Sequence, residues 1–152
     1  MPARVDEQPP LAPDKYTSAR DLARLLALVH SAAEGEGPLA IGVGGRFSPP
    51  DARYLLYLLA HVADWGKIDR FLGERATVAH KAGWLALARH DAGIVYWPGG
   101  AFVVAVMTQG AGVGKASDVL AGRVAPAAFR SLAGRRPSAS STTRGRRQGA
   151  RS

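Results

Sequence analysis

The string Val78-Ala79-His80-Lys81-Ala82-Gly83-Trp84 sets an amine two positions before a glycine, inside a run of strand-forming residues. On a strand, residues two apart lie on one face, so Lys81 and Gly83 act side by side. A lysine at the rim of an exposed strand offers its ammonium to a substrate carboxylate. A glycine two residues on lets the substrate lie against the backbone as an added strand.

Other chemistries are closed or poorly supported. The chain has no Cys, which excludes disulfides, thiolate metal sites and a cysteine nucleophile. It has no Asn, so side-chain amides come only from Gln8, Gln109 and Gln148. The four histidines, His30, His61, His80 and His90, show no i, i+4 pairing and no carboxylate at ligand spacing. Core or surface roles are expected for them, with no metal site, and His61 with Asp64 reads as a helix-surface pair. The segment Gly110-Ala111-Gly112-Val113-Gly114-Lys115-Ala116-Ser117 has a phosphate loop's position between strand and helix. It has three residues rather than four before Gly-Lys, and Ala116 where a magnesium-binding hydroxyl is needed. Gly42-Val43-Gly44-Gly45 reads as a flexible turn, and no cofactor is expected.

These residues need elements to hold them. Thr17 and Ser18 offer hydroxyl caps with Asp21 three residues past Ser18, and Leu22, Leu25, Leu26 and Val29 recur at helical spacing until Gly35, Gly37 and Pro38. A second helix starts at Ser48 with Pro49 and Pro50 in its first turn, carries Tyr54, Leu55, Leu58, Leu59 and Val62, and breaks near Gly66. From Ala76 the pattern becomes short runs of Val, Ile and aromatics bounded by Gly, Asp and Pro. Three strands are predicted: Thr77 to Arg89 bent at Gly83, Gly93 to Trp97, and Phe102 to Thr108. The links His90-Asp91-Ala92 and Pro98-Gly99-Gly100 are hairpin-length, giving an antiparallel meander. A last helix, Lys115 to Leu132, brings Val119, Leu120, Val124, Ala127, Ala128 and Phe129 to cover a sheet face. The fold class is α+β, an antiparallel three-strand meander with flanking helices.

With 152 residues, 47% apolar, the chain supports one domain. Residues 1–15 read as an extended segment, residues 16–133 as the folded body, and residues 134–152 as a disordered tail. The net charge of +8 is concentrated in that tail through Arg135, Arg136, Arg144, Arg146, Arg147 and Arg151. Subtracting its six charges leaves the body at 14 basic against 12 acidic groups, a net +2. The tail suggests a polyanion contact by counterion release, but no aromatic residue is interleaved to stack on a base. The first 14 residues hold four Pro and no apolar run of the length an export signal needs, and no apolar stretch approaches the ~20 residues of a membrane span. Nothing in these residues directs the chain out of the cytoplasm.

The string from Val78 to Trp84, followed by Arg89-His90-Asp91-Ala92-Gly93-Ile94-Val95-Tyr96 and by Ala105-Val106-Met107-Thr108, resembles the Lys-Thr-Gly strand and the two after it in class A β-lactamase-like serine hydrolases. That family is marked by S-x-x-K, S-D-N and K-T-G. Thr17-Ser18-Ala19-Arg20-Asp21-Leu22-Ala23-Arg24-Leu25-Leu26 resembles a helix that precedes this strand, and the likeness runs from about Tyr16 to Leu132. The resemblance implies hydrolysis of a β-lactam or related amide. It assigns Lys81 to the substrate or proton network, the Trp84 backbone N–H to an oxyanion hole, and Lys81, Ala82 and Gly83 to substrate binding. It also implies the C-terminal part of a β-lactamase/transpeptidase-like fold, in a family often exported from bacteria.

The chain departs from that pattern. Ala82 replaces the hydroxyl residue, losing a hydrogen bond to the substrate carboxylate. No S-x-x-K exists: the positions three before Lys15, Lys67, Lys81 and Lys115 are Ala12, Asp64, Val78 and Gly112. S-D-N is impossible without Asn, and Glu7-Gln8-Pro9-Pro10-Leu11 lacks the Asn that follows the deacylating Glu. Losing the nucleophile of another serine hydrolase costs about 10⁶ in turnover, or about 8 kcal/mol of barrier. The expectation is a form lacking the N-terminal half and inactive alone, through gene truncation or a start codon assigned too late; that half could be supplied by another chain. Its absence would leave the Phe102 to Thr108 strand with an apolar open edge. The alternative is a non-catalytic binding protein that contacts polyanions through its Arg-rich tail.

Overall fold

The computed structural model describes residues 17–41, 47–85, 87–110 and 114–133. The element order is α1 (Ala19–Ala33), α2 (Gly37–Ala40), α3 (Pro49–Ala60), β1 (Thr77–Leu85), β2 (Ala88–Trp97), β3 (Gly100–Gln109) and α4 (Lys115–Ala133). A 3₁₀ turn at Gly73–Arg75 precedes β1.

Both long N-terminal helices begin on a serine that answers the unpaired amides of the first turn. Ser18 Oγ accepts from the Asp21 N–H at 3.2 Å. At α3, Ser48 Oγ accepts from the Asp51 N–H at 3.4 Å and the Ser48 N–H donates to Asp51 Oδ2 at 2.8 Å, closing a capping box. Val29, Ala32 and Ala33 of α1 and Ala52 of α3 are buried together, with Leu39, Phe47, Leu55 and Leu56 around them. The Arg53 Nε–H donates to the Ala33 carbonyl at 2.9 Å, tying α3 to the end of α1.

The sheet is antiparallel in the order β1-β2-β3. Its register fixes two faces. On one, Val78, Val95 and Val104 pack with Ile68 and Leu72 of the preceding segment and with Ala121 and Ala125 of α4. On the other, α1 lies against β2 and β3 and α3 against β1. Tyr96 meets His30 there with ring centroids 5.5 Å apart. Covering both faces explains why Ile94 and Val95, neighbours in β2 that point opposite ways, are both fully buried.

The three-strand meander and its flanking helices stand as the sequence predicts, but α3 ends at Ala60, before Val62, and the strand boundaries shift. The β1–β2 ladder continues from Lys81↔Ala92 and Ala82↔Asp91 to Leu85↔Ala88. Thus β1 ends at Leu85, and His90-Asp91-Ala92 lies within β2 instead of forming the hairpin link. An aspartate usually marks a turn because its carboxylate needs water or donors. Asp91 finds its donors inside the protein. Gly100 likewise belongs to β3, paired with Trp97.

Candidate functional site

Among the described residues β1 is an edge strand, so one side of its backbone is unpaired by the sheet. Lys81 is exposed on this edge, with its ammonium turned back to donate to the Ala82 carbonyl. Gly83 is half-buried, and a Cβ built there would meet nothing within 4 Å. The fold therefore leaves room for a side chain at position 83 and does not itself require glycine. Ala82 is buried on the opposite face. Lys81, Gly83 and Trp84 thus sit in sequence along an accessible strand edge. Neither the cavity of about 390 Å³ bordered by Trp65, Arg70 and Thr77 nor that of about 340 Å³ bordered by Arg75, Tyr96 and Trp97 is lined by Lys81, Gly83 or Trp84.

Behind the edge lies a polar cluster that sequence reasoning missed. Asp91 accepts from the Ile68 N–H at 3.1 Å, and its two oxygens lie 3.0 and 3.2 Å from His80 Nδ1. The side chains of His80 and Asp91 are each 1% exposed. An ionised carboxylate offers only acceptors, which assigns the ring hydrogen to Nδ1. Nearby, the buried Lys67 ammonium pairs with Asp64 and stands 5.6 Å from the ring centroid of Trp84. Trp84 is 56% exposed, so a cation–π contact holds one part of an otherwise solvent-facing indole.

Asp64 therefore pairs with Lys67 and not with His61, whose Nδ1 lies 2.7 Å from the Tyr57 carbonyl. The signal available for Asp91 was its place in the alternation: position 91 shares a sheet face with the core residues Val95 and Val104. Among the described residues no group of three or more His, Cys, Asp or Glu could hold a metal ion. No described helix is long and apolar enough to cross a membrane. The segments around Gly42 to Gly45 and Ala111 to Val113, residues 1–16 and the tail with Arg135, Arg136, Arg144, Arg146, Arg147 and Arg151 lie outside the described residues.

Two of the titrating groups are displaced from their ordinary range. Hydrogen bonds from the Ser48 side chain, and then from its backbone, hold Asp51 below the usual carboxylate value. Desolvation, reinforced by the Glu34 charge, raises Tyr96. Both belong to the helical layer and its contact with the sheet, and neither adjoins Lys81.

The covered antiparallel three-strand sheet with its flanking helices is a β-lactamase-like fold. The chain belongs to the β-lactamase enzyme family, whose model matches residues 3–132. Among solved structures it is similar to a single-site mutant of PBP-A in an acyl-enzyme complex with penicillin G, with 27% identity and a TM-score of 0.61 over 78% of this chain and 40% of that one. It is also similar to the β-lactamase of Sphaerobacter thermophilus, with 24% identity and a TM-score of 0.61 over 77% of this chain and 41% of that one. The TLA-1 extended-spectrum β-lactamase shares the fold at 18% identity and a TM-score of 0.63, covering 76% of this chain and 41% of its own. The chain thus spans about 40% of the length of these structures. No curated protein matches it significantly.

Proposed function

We propose that this polypeptide supplies the substrate-binding edge of a β-lactam- or amide-handling site and that acyl transfer requires a hydroxyl nucleophile held elsewhere. In this reading a ligand lies along β1, its carboxylate on the Lys81 ammonium and its backbone-like amide beside Gly83. The Trp84 N–H points to the carbonyl oxygen under attack, where a preorganised donor stabilises developing charge. The observation that carries the reading is the unpaired β1 edge with Lys81 exposed and open space at Gly83. The single-site mutant of PBP-A with which this chain shares 27% identity is an acyl-enzyme complex with penicillin G. That favours a carboxylate-bearing β-lactam as the probe.

An ammonium and a backbone donor bind and polarise, but they form no acyl bond. The sequence contains no Ser-x-x-Lys, the spacing that places an amine one helical turn from a hydroxyl to accept its proton. The chain alone therefore binds without turnover, and a polypeptide bearing that pair completes the site. Intact-mass measurement after incubation with benzylpenicillin tests this, together with turnover of a chromogenic β-lactam. The expected result is unmodified protein and no hydrolysis above the buffer rate. A stoichiometric covalent adduct would show that a nucleophile already resides in this chain.

A further inference from the structure

His80 and Asp91 are buried, charged or chargeable, and unused by the chemistry proposed for the edge. We propose that they form a clasp that positions the Lys81–Trp84 segment for its ligand, an inference that rests on reading β1 as the ligand-binding edge. The pair does not touch the ligand. It acts through the backbone of β1.

The register shows why the clasp reaches Lys81 and not merely the core. His80 is paired with Gly93 and Ala82 with Asp91, so the His80–Asp91 contact runs diagonally across the ladder and anchors β1 at the residue next to Lys81. Asp91 simultaneously accepts from the Ile68 N–H, so one carboxylate fastens β1 and the segment before it to the central strand. Gly93 makes the diagonal feasible: a Cβ there would fall 2.5 Å from His80 Cβ and 2.7 Å from Ile68 Cδ1. An edge strand has a ladder on one side only, so a side-chain anchor at this point restrains the strand where the sheet does not.

Stability alone is a weak reason for such a pair, because replacing a buried ion pair or its like with apolar side chains is often neutral or favourable. Here the anchored backbone is the one that carries Lys81, Gly83 and Trp84. His80 Nε2 is buried without a hydrogen-bond partner among the described residues. The ring therefore engages only through Nδ1, as a single directional tether. The ring hydrogen this contact requires is the one on Nδ1.

The test uses the full chain labelled with ¹⁵N and benzylpenicillin as the probe, comparing wild type with His80→Ala, His80→Gln and Asp91→Asn. The clasp predicts an Nδ1–H tautomer for His80 in the imidazole ¹⁵N spectrum and faster exchange of the β1 amides in His80→Ala than of those in β3. It predicts that His80→Ala weakens benzylpenicillin binding about tenfold, the loss of about one charge-assisted hydrogen bond. A Gln amide can donate to the same carboxylate, so His80→Gln restores affinity to within about threefold of wild type at the same energy scale. Equal affinities for His80→Ala and His80→Gln, or an Nε2–H tautomer, would overturn the clasp. Should His80→Ala not fold, Asp91→Asn carries the same comparison, with unchanged β1 exchange and affinity counting against the proposal. If wild type does not respond to benzylpenicillin, the ligand reading fails on its own; the tautomer and the β1 exchange rates then decide whether the clasp exists.

Discussion

Gly93→Ala and Gly83→Ala place the same methyl group at two positions only ten residues apart in sequence, with opposite consequences. At Gly93 the new Cβ would lie 2.5 Å from His80 Cβ, 2.7 Å from the Ala79 carbonyl oxygen and 2.7 Å from Ile68 Cδ1. Carbon contacts are favourable at about 3.5–4.0 Å, so each neighbour must retreat by about 1 Å. Ile68 can turn its terminal methyl aside, but His80 Cβ and the Ala79 oxygen move only if β1 moves. Overpacking of this kind costs about 3 kcal/mol, the upper end of its usual range, because the obstacle is a backbone. With a urea slope of about 2 kcal/mol/M, the unfolding midpoint falls by about 1.5 M. At Gly83 nothing lies within 4 Å and the backbone is not left-handed, so Ala changes stability by less than about 0.5 kcal/mol. The methyl instead occupies the approach to the strand edge, and benzylpenicillin affinity falls about tenfold or more, on the scale of 1.4 kcal/mol per decade. Urea unfolding followed by tryptophan fluorescence, with a parallel ligand titration, separates the two. A Gly93→Ala midpoint within 0.3 M of wild type, on the order of 0.6 kcal/mol, would refute the packing geometry. Unimpaired binding by Gly83→Ala would refute the close approach.

Further outcomes follow from other elements. Ile94→Ala removes a fully buried side chain from the central strand and destabilises the fold by about 2–5 kcal/mol, whereas Leu120→Ala, at a position 49% exposed, changes it by less than about 0.5 kcal/mol; chemical denaturation of both variants checks the contrast. Asp51 is held below its unfolded value by Ser48, so its contribution is present above the unfolded pKa and is lost as pH falls through the folded one. Ser48→Ala should flatten that acid dependence in a series of thermal melts between pH 2 and pH 6, a window spanning the ordinary carboxylate value of about 4. Tyr96 is raised, so the stability it contributes is complete below its unfolded pKa and is lost as pH climbs through the higher folded one. Tyr96→Phe should remove that part of the alkaline destabilisation, with an unchanged alkaline profile contradicting the assignment.

The helices and the meander were legible because their signals are local. Ser18 with Asp21 and Ser48 with Pro49 announce helix starts, and the apolar runs separated by Pro98-Gly99 announce a hairpin. Strand alternation alone puts Lys81 and Gly83 on one face, and the register keeps them there. The missed features depend on partners distant in sequence. Asp91 looks like a turn residue until His80, 11 positions away, and the Ile68 N–H, 23 positions away, satisfy it inside the sheet. Lys67 looks like a solvated charge until Asp64 and the Trp84 ring enclose its ammonium. A partner distant in sequence changed the meaning of each residue: the His80 and Ile68 donors for Asp91, and the Trp84 ring for Lys67.

The most direct measurement is a map of backbone amide shifts in the full chain during titration with benzylpenicillin. Perturbations centred on Lys81, Gly83 and Trp84, in fast exchange and abolished by Lys81→Ala, are the expected result. Perturbations centred away from β1, or a response that persists undiminished without the Lys81 ammonium, would contradict the assignment of this edge as the binding element.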